Sequence, residues 1–110
     1  MSRIFLTDSS KLDIHIIAEN LDVFNNIGQS FIEGVFDRMD ILEDNPLIGS
    51  TLEDKSDIAT DYRYLVFKFT KILKYIIIYR FNEDRSIAYI NRIFDSREDY
   101  MRVIFGADVD

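Results

Sequence analysis

The sequence contains no cysteine and a single histidine, His15, among its 110 residues. Without cysteine, neither a disulfide framework nor a thiolate metal site can form. One histidine excludes a His-rich metal centre and disfavours a catalytic dyad built on imidazole. The sequence therefore predicts no metal and no other cofactor, and the helical pattern around His15 predicts that its side chain packs in the core.

Long apolar runs are also missing. No segment approaches the roughly 20 apolar residues needed to cross a bilayer, and the start MSRIFLTDSSK lacks the apolar stretch of a signal peptide. The phosphate-binding loop and the GxSxG, HExxH and EF-hand patterns are absent as well. We expect a cytoplasmic protein with no membrane partner, whose function is not indicated by any of these motifs.

The composition is typical of a globular protein, with 47% hydrophobic and 30% charged residues. Six tyrosines and nine phenylalanines supply bulk for a core. A chain of this length fits one compact domain, so the sequence predicts a single domain over residues 1–110.

The net charge of -7 is distributed unevenly. Residues 1–61 contain 4 basic and 13 acidic side chains, whereas residues 62–105 contain 9 basic and 5 acidic ones. The overall charge opposes general affinity for nucleic acid, which depends on neutralising phosphates. The local excess of cations permits an anionic partner at the C-terminal half, or it merely offsets the acidic helices.

The N-terminal half predicts one strand followed by two helices. A short strand over residues 3–8 precedes SSKLD, whose Ser9 and Ser10 are candidate caps of the first helix. Its apolar stripe has helical spacing and consists of Ile14, Ile17, Leu21 and Phe24, widened by Leu12 and Ile16. Asn25 or Asn26 is expected to cap the second helix.

The second helix is predicted to continue to about Glu43 and to stop before the only proline, Pro46, and Gly49. Its stripe consists of Ile27, Phe31, Val35, Met39 and Leu42, widened by Ile32 and Phe36. The polar segment 50–61 is interpreted as a surface loop.

The C-terminal half changes to a strand pattern. The first strand segment, residues 62–69, has side chains that alternate roughly between two faces. The next segment, residues 74–81, is nearly all apolar, as in a central strand buried on both faces. A hairpin turn at 82–86 is followed by a third strand over residues 87–94. Residues 95–105 are predicted to form a short closing helix. The predicted fold is α+β: an N-terminal strand and a two-helix hairpin packed on a mainly antiparallel four-stranded sheet, with a short C-terminal helix.

Basic and aromatic side chains are concentrated on these strands. The basic residues are Arg63, Lys68, Lys71, Lys74, Arg80, Arg92 and Arg97, and all six tyrosines lie between Tyr62 and Tyr100. Arginines on a sheet can bind carboxylates or phosphates, and a guanidinium cluster can stabilise the charge that develops during RNA cleavage. The alternative is cross-strand ion pairing with Glu83, Asp84, Asp95 and Asp99.

The motifs LEDNPLIGS, YRYLVF, YIIIYRF and INRIFDSREDY, in this order and at this spacing, resemble the RelE/ParE superfamily of toxins from bacterial type II toxin–antitoxin systems. The resemblance covers most of the chain. It implies a toxin that is held inactive by a cognate antitoxin, with DNA contacted only indirectly through that antitoxin. RelE-like members cut mRNA on the ribosome, whereas ParE-like members inhibit DNA gyrase.

Superposing the RelE-like pattern position by position implies three candidate catalytic residues, Arg63, Arg97 and Tyr100. Two further basic positions of that pattern fall at Leu65 and Ile76, which cannot stabilise a phosphorane. Together with the net charge of -7, these losses favour a ParE-like inhibitor of DNA gyrase over a ribosome-dependent mRNA endonuclease. An inactive binding module with the toxin fold remains the third alternative.

The turn between the strand segments 62–69 and 74–81 is unusually apolar for a connection because it contains Ile72 and Leu73. Either this hairpin end contacts the antitoxin or the target, or the two side chains continue into the core. The residues expected to contact a partner are Lys71, Ile72, Leu73, Lys74, Arg80 and Arg92.

Overall fold

Two helices packed on one face of a five-stranded sheet form the fold in the computed structural model, which describes residues 2–52 and 61–98. The elements follow in the order β1 (Arg3–Leu6), α1 (Asp8–Asn25), α2 (Gly28–Asp44), β2 (Ser50–Thr51), β3 (Arg63–Lys68), β4 (Lys74–Asn82) and β5 (Ile87–Asp95). The strand order is β1-β5-β4-β3-β2. Only the β1–β5 pair is parallel in these described ranges, so the predicted α+β class and mainly antiparallel sheet are confirmed.

The fifth strand is a correction to the four-stranded prediction. Ser50 and Thr51, assigned to a surface loop, pair with Tyr64 and Arg63 and form β2 at the edge of the sheet. Leu52, which follows them, is buried against Ile78 and Phe94. A strand of two residues is too short to show an alternating pattern, which explains why the sequence does not indicate it.

The main core lies between the helices and the sheet. Its buried helical residues include Ile14, Ala18 and Leu21 of α1, and Phe31, Val35, Met39 and Leu42 of α2. Phe31 is at the centre of an aromatic cluster, with ring centroids 4.8 Å from Tyr75, 5.6 Å from Phe69 and 5.9 Å from Phe67. Burial of these large side chains supplies most of the stabilisation that positions the sheet against the helices.

Strand β4 is buried on both faces, as its nearly continuous apolar sequence predicts. Tyr75, Ile77 and Tyr79 face the helices in the main core. Ile76 and Ile78 belong to a second apolar cluster, together with Tyr62, Tyr64, Leu52 and Phe94. The face of the sheet opposite the helices is therefore apolar along the middle of β4.

The helix ends differ from the predicted caps. Thr7, not Ser9 or Ser10, caps α1, because its Oγ1 accepts a hydrogen bond from the backbone N–H of Ser10 at 3.2 Å. Asn26 ends α1 in the left-handed conformation with φ of 55° and does not cap α2. Asparagine tolerates this conformation better than most residues, so an Asn at a helix junction fits the end of a helix as well as a start.

The outer faces of both helices are more exposed than predicted. Leu12, Ile16 and Phe36, expected to widen the apolar stripes, are each about half exposed. The prediction that His15 packs in the core is wrong: its side chain is 67% exposed and its Nε2 lies 3.0 Å from Oε1 of Glu19. His15 follows the buried Ile14, and one residue along a helix rotates the side chain by about 100° away from the core face.

The C-terminal end of the sheet extends further than predicted. Strand β5 continues through Asp95, and Ser96 and Arg97 then lie in a turn. A closing helix therefore cannot begin at Asp95, and residues 99–105 of the predicted helix lie outside the described residues. Within the described ranges, neither helix is both long enough and apolar enough to cross a membrane.

Candidate functional site

The β3–β4 hairpin end combines cations with one exposed apolar side chain. Lys68 and Lys74 are directly paired across the two strands, and Lys71 lies in the turn between them. Ile72 is 82% exposed, whereas Leu73 packs against the main core. Thr70 holds the turn because its Oγ1 accepts hydrogen bonds from the backbone N–H groups of Ile72 and Leu73. The structure thus separates the two apolar residues that the sequence grouped together.

We expect Ile72→Ser and Leu73→Ser to have different effects on stability. Ile72→Ser should change the free energy of unfolding by less than about 0.5 kcal/mol, because the side chain is already in solvent. Leu73→Ser should lower it by about 1–2 kcal/mol, because apolar contacts with the core are lost. Urea unfolding of the two variants measures both values. Equal losses would show that Ile72 also belongs to the core.

A cleft of about 410 Å³ lies between α1 and the adjoining ends of β4 and β5. Leu73, Arg92 and Arg97 line it, so the structure brings together one of the three candidate catalytic residues and two of the expected partner contacts. Arg97 is bound to a neighbouring carboxylate in a bidentate pair: its Nη2 lies 2.6 Å from Oδ2 of Asp95, and its Nε lies 3.0 Å from Oδ1. The side-chain hydrogen bond from Arg97 lowers the pKa of Asp95 below its ordinary value. The Arg97 side chain is 73% exposed, so this pair contributes little stability.

Arg92 is bound to a carboxylate of helix α1. Its Nε donates to Oδ2 of Asp13 at 2.8 Å and its Nη2 donates to Oδ1 at 3.0 Å. Oδ2 of Asp13 also accepts a hydrogen bond from the backbone N–H of Ile93 at 2.9 Å. Hydrogen bonding to Asp13 raises the pKa of Arg92 above its ordinary value. This interaction joins α1 to the part of β5 that extends past the last residue of β1.

Arg63 holds the loop before β2. Its Nη1 donates to the carbonyl oxygens of Gly49 at 2.8 Å and of Leu47 at 3.4 Å. The backbone N–H of Gly49 donates to the hydroxyl of Tyr79 at 2.8 Å, in a buried contact. Burial raises the pKa of Tyr79 above its ordinary value, and the hydrogen bond from Gly49 partly opposes that shift. Arg63, Gly49 and Tyr79 together form what we call the Gly49 clamp.

Arg80 lies on the face of the sheet opposite the helices. Its guanidinium carbon is 6.0 Å from the centre of the Tyr62 ring, and its Nε is 4.0 Å from Oδ2 of Asp61. Such a long contact between two exposed groups contributes little stability. Arg80 is therefore accessible to a partner, unlike Arg63.

The candidate catalytic residues do not converge in the described part of the chain. Arg63 pairs with Tyr79, while Arg97 follows Asp95, which pairs with Tyr75. Tyr75 and Tyr79 are four residues apart on β4, or roughly 13 Å along a strand. The third candidate, Tyr100, lies outside the described residues.

Leu65 and Ile76 are the two residues expected, from the resemblance to the RelE-like pattern, to stand where that pattern has cations. Leu65 packs against the main core and Ile76 packs against the second apolar cluster. Both side chains contribute to the packing of the sheet, so neither position is a loose surface site at which a different side chain would be tolerated without cost.

Sequence reasoning missed Gly49, Asp13 and the pairing of Lys68 with Lys74. One available signal was the hydroxyl of Tyr79 inside an otherwise apolar strand, because a buried tyrosine hydroxyl needs a hydrogen-bond partner. Asp13 gave no such signal, since an acidic residue in the first turns of a helix is common on the surface. In residues 2–52 and 61–98, no three His, Asp or Glu side chains are grouped so that they could hold a metal ion.

The helix pair packed on a mainly antiparallel sheet, with β1 parallel to β5 at one edge, is the architecture of a RelE/ParE-like toxin domain. Residues 4–100 match the family model described as ParE toxin of type II toxin-antitoxin system, parDE. Because this match covers well over half of the chain, the chain belongs to the ParE toxin family. The family implies a cognate antitoxin as partner. A search of curated proteins finds no match to the chain.

Proposed function

We propose that this protein is a toxin that acts in the cytoplasm on a protein target, DNA gyrase, and not by cutting mRNA. The observation on which this proposal rests is the apolar packing of Leu65 and Ile76 in the sheet. Cleavage of RNA without histidine needs several cations around the scissile phosphate, because negative charge accumulates there in the transition state. The two side chains lie on opposite faces of the sheet, and neither of these apolar groups can supply that charge.

The engagement of the arginines supports the same proposal. Arg63 is used by the Gly49 clamp and Arg97 is bound to Asp95. These bonds occupy one nitrogen of Arg63 and two nitrogens of Arg97, so each guanidinium has fewer N–H donors left with which to bind a phosphate. The net charge of -7 further opposes approach to the ribosome, which is a large polyanion.

We further propose that the accessible members of the expected partner contacts, Lys71, Ile72, Lys74 and Arg80, bind partner proteins directly. Leu73 and Arg92 would then support this surface without contacting the partner themselves. Leu73 holds the turn against the core, and Arg92 lines the cleft together with Asp13. The exposed Ile72 would supply an apolar contact, and the cations around it would form a polar rim that is complementary to an acidic partner.

Induction of the protein alone in a bacterial host, with pulse labelling of DNA synthesis and of translation, tests the proposed target. We expect DNA synthesis to stop first and an SOS response to follow, because inhibited gyrase leaves DNA strained or broken. Co-expression of the cognate antitoxin should restore growth. A rapid stop in translation with cut mRNA would show that the endonuclease alternative is right. Normal growth would instead favour the inactive binding module.

A further inference from the structure

Two lysines face each other at the end of the β3–β4 hairpin. Lys68 and Lys74 are register partners. The backbone N–H of Phe69 donates to the carbonyl of Leu73, and the N–H of Leu52 donates to the carbonyl of Tyr62 on the other edge of β3. Since hydrogen-bonded and non-hydrogen-bonded pairs alternate along an antiparallel ladder, Lys68 and Lys74 form a non-hydrogen-bonded pair. In such a pair the Cα atoms are only about 4.5 Å apart and the side chains are close.

This arrangement is electrostatically unfavourable in the free protein. Like charges directly opposite each other on a sheet destabilise it, and Lys71 adds a third cation in the same turn. Among the described residues, no carboxylate forms an ion pair with any of these three lysines. An acidic chain that has 20 Asp and Glu residues thus leaves this cluster uncompensated within the described ranges.

The backbone next to the lysines is also open. β2 pairs only with Arg63 and Tyr64, so Val66 and Lys68 of β3 have no strand beside them on that edge in the described part of the chain. The alternation of hydrogen bonding directs the N–H and C=O groups of these two residues away from β4 and towards that edge. Val66 is 42% exposed and lies on the same face as Lys68. An extended segment with alternating apolar and acidic side chains fits this edge.

We propose that the hairpin end (Lys68, Lys71, Ile72 and Lys74) and the adjoining Val66 of β3 bind an extended acidic segment of the cognate antitoxin. Carboxylates of that segment lie between Lys68 and Lys74, and its apolar side chains contact Val66 and Ile72. The inference rests on the proposed role of this hairpin end as a partner surface, but it does not depend on gyrase being the target. A nucleic acid fits less well, because the site has only three cations in a protein of net charge -7.

Lys68→Glu tests this proposal because it predicts effects of opposite sign. In the free protein, the introduced carboxylate would face Lys74 and replace repulsion by attraction, so the melting temperature should rise by a few degrees. Binding of the purified antitoxin, measured by titration calorimetry, should weaken by roughly tenfold or more, because a carboxylate now repels the acidic segment. Lys68→Met should be intermediate in both measurements.

Lys11→Glu, on the exposed surface of α1, is the matched control, since it makes the same change of charge away from the hairpin. It should leave antitoxin affinity within about twofold of the unaltered protein at a common salt concentration. Rising salt should reduce the difference between the Lys68 and Lys11 variants. Unchanged antitoxin affinity in Lys68→Glu, with or without loss of gyrase inhibition, would overturn the proposal. The proposal would be overturned equally if Lys68→Glu lost binding to a single-stranded RNA probe while its affinity for the antitoxin stayed the same.

The two proposals fail separately. If gyrase is not the target, induction of the protein does not stop DNA synthesis first, while the calorimetric difference between Lys68→Glu and Lys11→Glu persists. If the lysine cluster does not bind the antitoxin, the two variants bind antitoxin equally while induction of the unaltered protein still blocks DNA synthesis.

Discussion

We expect Gly49→Ala to lower the free energy of unfolding by about 3–5 kcal/mol. This is the largest effect that we predict for a single substitution. A Cβ at position 49 would lie 2.6 Å from the Tyr79 hydroxyl and 2.7 Å from the backbone carbonyl oxygen of Tyr64. Tyr79 is fully buried and the carbonyl of Tyr64 belongs to β3, so neither group can move away at low cost. The loop must shift instead, which breaks the hydrogen bonds of the Gly49 clamp.

Urea unfolding followed by circular dichroism measures this loss, with two variants for comparison. Tyr79→Phe removes only the hydroxyl and leaves the N–H of Gly49 without its partner, so a loss of about 1–3 kcal/mol is expected. Ser50→Ala, at the exposed neighbouring position, should change stability by less than about 0.5 kcal/mol. If Gly49→Ala unfolds at the same urea concentration as the unaltered protein, then the clamp does not hold the loop.

Asp13→Ala is the second substitution with a large expected effect, a loss of about 2–4 kcal/mol. The Asp13 side chain is only 12% exposed and accepts three hydrogen bonds, two from Arg92 and one from the N–H of Ile93. Its removal leaves a half-buried guanidinium without this carboxylate and takes the hydrogen-bond partner from the N–H of Ile93. Losses at the upper end of this range are typical of fully buried ion pairs. Because the Arg92 side chain is 37% exposed, we expect a loss nearer the lower end.

Asp13→Asn separates the two contributions, because an amide oxygen can still accept a hydrogen bond from the Ile93 N–H but has no charge to pair with Arg92. It should lose less stability than Asp13→Ala. Glu19→Ala is the matched control, since Glu19 is a carboxylate on the same helix whose contact with His15 is solvent-exposed. Its effect should be below about 0.5 kcal/mol. Equal effects of Asp13→Ala and Glu19→Ala would contradict the role of Asp13 as the link between α1 and β5.

Periodicity was sufficient to predict the long elements of the fold. The stripes that include Ile14 and Phe31 predicted α1 and α2, and the apolar run of β4 predicted a central strand, because each pattern repeats over several turns or residues. Features that depend on one or two residues were not predicted. β2 contains two residues, and the start of α1 at Thr7 depends on one hydroxyl that hydrogen-bonds both to the helix and to β5.

The candidate site was predicted less well, because its side chains depend on partners far away in the sequence. For Arg92 the sequence left partner binding and cross-strand ion pairing open, whereas its carboxylate partner Asp13 is 79 residues away on a helix. Residues 72 and 73 are both apolar in sequence, and only the direction of the turn separates the exposed Ile72 from the packed Leu73. The basic character of the hairpin was visible from composition, but the direct opposition of Lys68 and Lys74 required the strand register.

The most direct test of the proposed target uses purified components. The protein is added to DNA gyrase in a supercoiling assay, and in parallel to a ribosome-dependent translation reaction in which mRNA integrity is followed. We expect inhibition of supercoiling that the cognate antitoxin reverses, with intact mRNA in the parallel reaction. Cleavage of mRNA on the ribosome with unaffected supercoiling would contradict the proposed function, because it would mean that a sheet with Leu65 and Ile76 at these positions still supports RNA cleavage.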